Sequence, residues 1–203
     1  MGQYYTALVI DGANKVKKLS PSRFDVGVKL LNQAWIGKGF VNAVYSLIHH
    51  NPCKVAWVGD YAKAPYEPER HAFARAMPHK EFMKMYEIAW GNAASMREKD
   101  FSLKQLALVG YGTKGTYLVN HDLKCYIDMA AYIKRSSVRR GEMKGYSLDP
   151  LPLLTACGNG RGFGDYEGRS CYEDVGTWAF HRLEYTDQIP EGYSKKTYRF
   201  VDI

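Results

Sequence analysis

Two pairs of β-forming runs, each pair joined by a short polar turn, set the strongest limit on what this 203-residue chain folds into. Tyr4-Tyr5-Thr6-Ala7-Leu8-Val9-Ile10 is dense in aromatic and β-branched residues, and Asp11-Gly12 turns the chain back into Lys15-Val16-Lys17-Lys18-Leu19. Thr116–Asn120 and Lys124–Asp128 flank His121-Asp122 in the same way. Between the hairpins the apolar spacing becomes three and four. Val28, Leu30 and Leu31, then Phe40, Val41, Val44, Leu47 and Ile48, predict two helical pieces broken at Gly37 and Gly39. Phe82, Met83, Met85, Tyr86, Ile88 and Ala89 predict a third, closed near Gly91. Strands arriving as hairpins with about three helices grouped between them predict an α+β fold on an antiparallel or mixed sheet, as one domain over residues 1–203.

Further strands are predicted at 54–58, at 151–155 (an edge position, given Pro152), at 175–185 and at 197–201. Residues 63–79, with prolines at 65, 68 and 78, read as a mobile connection, and the basic stretch 132–146 as a mobile insertion. The four cysteines form no C-x-x-C pair, which favours reduced thiols in a cytoplasm over a disulfide scaffold. No charged-then-apolar leader opens the sequence and no apolar run approaches the roughly 20 residues of a membrane span. A soluble cytoplasmic protein, without a membrane partner, is expected.

Cys157–Gly168 holds five glycines in twelve residues, a density that requires unusual backbone conformations or close approach. Successive N–H groups in such a loop form a nest for an anion, and Arg161 adds a bidentate donor. The loop instead locks itself if Arg161 pairs with Asp165. It lacks a phosphate-binding fingerprint, and no helix is predicted after it to receive a pyrophosphate. Candidate ligand-binding residues here are Asn159, Gly160, Arg161, Gly162 and Asp165, with Trp178 and Arg182 on the next predicted strand. Lys134, Arg135, Arg139 and Arg140, between Tyr132 and Tyr146, suit phosphate contact with base stacking, or a solvated loop. The chain carries 28 Lys and Arg against 21 Asp and Glu, which favours anionic partners.

Asp60, in Gly59-Asp60-Tyr61 at a strand end, is either a functional carboxylate or a turn cap. His181, on the predicted strand 175–185, is either a core histidine or a base near the glycine loop. Asp60, Asp165 and His181 are the candidate acid and base groups. The six histidines show no metal-ligand spacing, so neither a metal nor a cofactor is expected.

Met1-Gly2-Gln3-Tyr4-Tyr5, Gly59-Asp60-Tyr61-Ala62, Tyr117–His121, Leu151–Thr155 running into Gly158–Gly162, and Val175–Ala179 together resemble an uncharacterised family of proteins from bacteria and their phages. The resemblance spans most of the chain. It implies a microbial cytoplasmic or phage setting and supplies no mechanism. Relatives tend to carry glycine at the place of Phe163, and Asp is common near that of His181. Three functions are compatible with these features. The first is a binding protein for an anionic ligand, nucleotide or nucleic acid. The second is an inhibitor of a host nuclease or defence complex, in the manner of an anti-CRISPR protein. The third is a phosphodiester hydrolase.

Overall fold

A computed structural model describes residues 3–62, 77–110, 113–136, 146–158, 166 and 171–200, apart from the side chain of Tyr172. The first hairpin consists of β1 (Tyr5–Ile10) and β2 (Val16–Leu19), antiparallel, with Ala7 opposite Leu19. Asp11 closes its turn by accepting from the N–H groups of Ala13 and Lys15, the local bonding for which Asp is favoured there. The other edge of β1 pairs antiparallel with β3 (Cys53–Gly59), Tyr5 facing Gly59. The second hairpin is β5 (Tyr117–Asn120) with β6 (Cys125–Asp128). The two hairpins are joined through β8 (Arg182–Thr186), antiparallel to both β3 and β5. Three two-residue strands are added parallel: β4 (Ser95–Met96) on β2, β7 (Ala156–Cys157) on β3, and β9 (Ser194–Lys195) on β6. The order is β4-β2-β1-β3-β8-β5-β6-β9, with β7 beside β3, so the sheet is mixed.

Successive side chains of a strand point to opposite faces, and both faces of the central strands are covered. Tyr5, Ala7, Val9, Val55 and Trp57 enter one core, while Leu8, Ile10, Ala56 and Val58 enter another. The larger core takes residues from α1 (Leu30–Gln33), α2 (Gly39–Ile48), α5 (Met129–Ser136) and α6 (Pro150–Leu154). The smaller is covered by α3 (His79–Trp90), through Phe82 and Ala89. With α4 (Leu103–Leu106), the described residues form six helices, not about three; α1, α4 and α6 have only four or five residues each. The class is α+β. No helix among the described residues is long and apolar enough to cross a membrane, and all four cysteines are free thiols.

Three predicted elements take another form. Leu151–Thr155 is not an edge strand, because Pro150 and Leu151–Leu154 make helix α6. Asp149 caps it by accepting from Leu151 N–H at 2.9 Å, and prolines at its first and third positions sit where a helix has no use for an N–H. The predicted strand 175–185 is extended only from Arg182. Residues 175–180 turn instead, because the N–H groups of Gly176 and Trp178 are spent on the carbonyls of Leu153 and Leu154 at the end of α6. Gly176 does this at φ +78°, with Ala156 O so close that a Cβ would lie 2.5 Å away. Residues 197–200 form no strand, and β9 lies just before them. Of the basic stretch, residues up to 136 belong to α5 and 137–145 lie outside the described residues. Within the connection 63–79, residues 63–76 lie outside them, Met77 is buried and His79 opens α3.

Candidate functional site

The parallel pairing of β2 with β4 determines where a charged cleft forms. Lys18 lies opposite Ser95 and Leu19 opposite Met96, so the chain leaves both strands at the same end of the sheet. After β2 comes the 3-10 turn Pro21–Arg23, with proline at its first position; after β4 comes the turn Glu98–Asp100. Ser95 Oγ accepts from Ser20 N–H at 2.9 Å, which ties the start of the first turn to β4, and Asp100 Oδ2 accepts from Arg97 N–H at 2.8 Å, which closes the second turn on itself. Ser102 and Gln105 then cap α4 reciprocally, Ser102 N–H donating to Gln105 Oε1 and Gln105 N–H to Ser102 Oγ. Asn42, fully buried on α2, anchors the far end of α4. Its Nδ2 donates to Leu106 O at 2.8 Å and Val109 O at 3.2 Å, while Oδ1 accepts from Val109 N–H.

Between these walls lies an open cleft of about 580 Å³. Arg23, Arg97 and Lys99 bring three cations to it and Glu98 one carboxylate, over a floor of Phe101 and Leu106. Phe101 is fixed from below by Phe24, which packs edge-on against Phe40 of the core. Leu103 stands on the rim with 87% of its surface exposed, an apolar side chain that the fold leaves uncovered. No ion pair to Arg23, Arg97 or Lys99 occurs among the described residues.

Those residues singled out from sequence that the structure describes are scattered. Asn159, Gly160, Arg161, Gly162, Asp165, Arg139 and Arg140 lie outside the described residues. The glycine-rich stretch leaves β7 at Cys157, which pairs with Val58, so it departs from the same sheet end as Asp60. After it, residues 172–180 form the 3-10 turn Tyr172–Asp174 and further turns, and a strand begins only at Arg182. Among the described residues Asp60 caps no turn of its own; its Oδ1 accepts from Tyr4 N–H at 3.1 Å while its N–H donates to Tyr4 O, which fastens the start of β1. His181 does not share a strand face with Val175, Thr177 and Ala179. Its carbonyl accepts from Val55 N–H, and Asn120 Nδ2 lies 3.1 Å from its Nδ1. Burial pushes the imidazole below its usual value, against the pull of Asp122. Val55 and Asp60 are five extended residues apart, about 16 Å, so Asp60 and His181 do not meet.

Trp178 is fully buried, edge-on to Tyr198 at 5.9 Å, and presents no surface to a ligand. Arg182 is exposed but engaged: its Nε donates to Asp122 Oδ1 at 2.7 Å and its N–H to Oδ2 at 2.8 Å. Burial pushes Asp122 up, and these bonds outweigh it and hold the carboxyl below its usual value. Lys134 is exposed. Arg135 turns inward, its Nε and one Nη shielded from solvent, and its charge helps to lower Asp128 at the start of α5.

Beside Arg182, His121 joins two groups that the sequence did not single out. Its Nε2 lies 2.9 Å from Glu184 Oε2 and its Nδ1 3.1 Å from Tyr193 Oη. These bonds tie the hairpin turn to β8 and to the segment before β9. Among the described residues no three His, Cys, Asp or Glu side chains are grouped to hold a metal. No family model matches the chain, and no curated protein and no solved structure matches it either.

Proposed function

We propose that this protein binds an anionic ligand of the nucleotide or nucleic-acid class in the cleft between the turns after β2 and β4. The observation that carries the reading is the lining of that cleft. Three cations without an ion-pair partner among the described residues stand around an apolar floor, on a chain whose net charge is +7. Guanidinium groups favour phosphate through paired, directional N–H donors, and the ring face of a base or a sugar suits Leu103 and Leu106. An inhibitor docking on a host protein would use the same cations against acidic side chains, and would have no use for a base. A hydrolase is not favoured, since Asp60 and His181 lie far apart.

Titration of a purine and a pyrimidine nucleoside triphosphate by calorimetry at low salt tests the reading. Binding that weakens at least tenfold in Arg23→Ala plus Arg97→Ala, with an unchanged melting temperature, supports it. Binding that survives both changes moves the site elsewhere, the glycine loop with Arg161 being the next place to look.

A further inference from the structure

The basic cleft is not isolated. A second cleft of about 470 Å³ is lined by Asp25, Asn32, Trp35, Lys38 and Tyr146 among others, and a third, of about 200 Å³, by Tyr4, Lys18, Val28 and Trp90. The first and third share Ser22. The first and second meet at the start of α2: Lys38 lines the second, and a Cβ at the next residue, Gly39, would lie 3.7 Å from Glu98 Oε1 and 3.9 Å from Leu106 Cδ2 of the first. The segment from Ser20 to Lys38 thus passes through all three. The strand directions explain the clustering, because β1 begins where β2 ends, which puts Tyr4 beside the Pro21–Arg23 turn.

Each flanking cleft pairs a cation with aromatic rings. Tyr146 is 48% exposed and edge-on to Trp35, with Lys38 nearby; Tyr4 is 49% exposed, with Lys18 nearby. Lys18 Nζ donates to Gly91 O and keeps its other two donor hydrogens. The three adjoining clefts bring five cations, the carboxylates Asp25 and Glu98 and exposed aromatic rings onto one surface, a combination that suits a flexible polyanion with stackable bases, and a single nucleotide fills only part of it. A duplex hides its base faces, so exposed rings offer it nothing.

Resting on the proposed nucleotide-class function, we infer that the ligand is a single-stranded nucleic acid running across the three clefts, phosphates on Arg23, Arg97, Lys99, Lys18 and Lys38 and bases stacked on Tyr4 and on the Trp35–Tyr146 pair. Fluorescence anisotropy with labelled dT and rU oligomers of about 12 nucleotides, within the site sizes of about 4–16 known for single-strand binders, tests it. Mononucleotide TMP and a duplex of the same length serve as competitors. At least one oligomer is expected to bind at least about 100-fold tighter than TMP. Its log–log salt slope should be near −3.5, about 0.7 for each of five cations.

Lys18→Ala with Lys38→Ala should reduce that slope by about 1.4 and leave TMP affinity unchanged. Tyr4→Ala and Tyr146→Ala, at half-exposed rings, should each weaken the oligomer at least about fivefold, the low end for one stacked base. Oligomers that bind no tighter than TMP overturn the inference and leave the nucleotide reading standing. Loss of all binding overturns both. A duplex that competes as well as the single strand, with the tyrosine variants unaffected, also overturns it.

Discussion

Asp149 carries the most loaded single carboxylate in the structure. It is fully buried, and its Oδ1 accepts from Tyr45 Oη and Leu151 N–H, while Oδ2 has no partner among the described residues. Burial pushes its pKa up to about 7, against the pull of those two donors. An unfolded Asp ionises near 4, so between about pH 4 and 7 the folded chain holds a proton that the unfolded chain has released, and stability falls as pH rises through that window. Below it both states are protonated and above it both are ionised, so the dependence flattens at each end. From pH 5 to 8 the loss amounts to about 2–3 kcal/mol at most. Asp149→Asn keeps an acceptor for Tyr45 and Leu151 and removes the ionisation. Melting curves of the two proteins at pH 5 and 8 should show wild type losing several degrees more than the variant. Equal losses would mean that Asp149 is not the titrating group.

At the scale of elements, α6 and the turns 175–180 stand or fall together, since the second segment satisfies the last carbonyls of the first. Gly176→Ala tests the joint. An L side chain at φ +78° costs about 1–3 kcal/mol, and the contact with Ala156 O adds to it. The melting temperature should drop by at least several degrees, whereas Gly12→Ala, with open space around its Cβ position, should leave it nearly unchanged. A tolerated Gly176→Ala would mean that the turn yields easily.

The same joint explains what the sequence could and could not disclose. Both hairpins were legible because Asp11-Gly12 and His121-Asp122 act on their nearest neighbours, and α3 because its apolar residues keep helical spacing. In 149–154, Asp before Pro was a local start signal that the edge-strand reading of Pro152 overrode. The aromatic and β-branched residues of 175–185 read locally as a strand in spite of Gly176, and a helix end distant in sequence diverts its N–H groups.

Across the whole molecule, the cleft was hidden from sequence for a physical reason. Arg23 and Arg97 lie far apart along the chain and meet only through the two-residue pairing of β2 with β4, which no periodicity announces. The reciprocal cap of Ser102 and Gln105 was readable as an S-x-x-Q signature and would have marked α4. The net charge pointed to an anionic partner without locating it. Arg139 and Arg140 offer a separate check on how widely a polyanion spreads over the surface. Neutralising both should lower the salt slope for a single-stranded oligomer by up to about 1.4. An unchanged slope would confine the contact to the three clefts.

The two outermost strands, β4 and β9, are two residues long, and Ser194 and Lys195 of β9 are exposed. A foreign strand that docks edge-to-edge needs a run of unpaired N–H and C=O groups to copy, and among the described residues neither β4 nor β9 offers one of useful length; Lys195, paired with Asp128, adds a charge to the β9 side. A broad sheet with such blunt borders resists growing into fibrils from its native state, so aggregation on heating would have to begin from chains that have already opened.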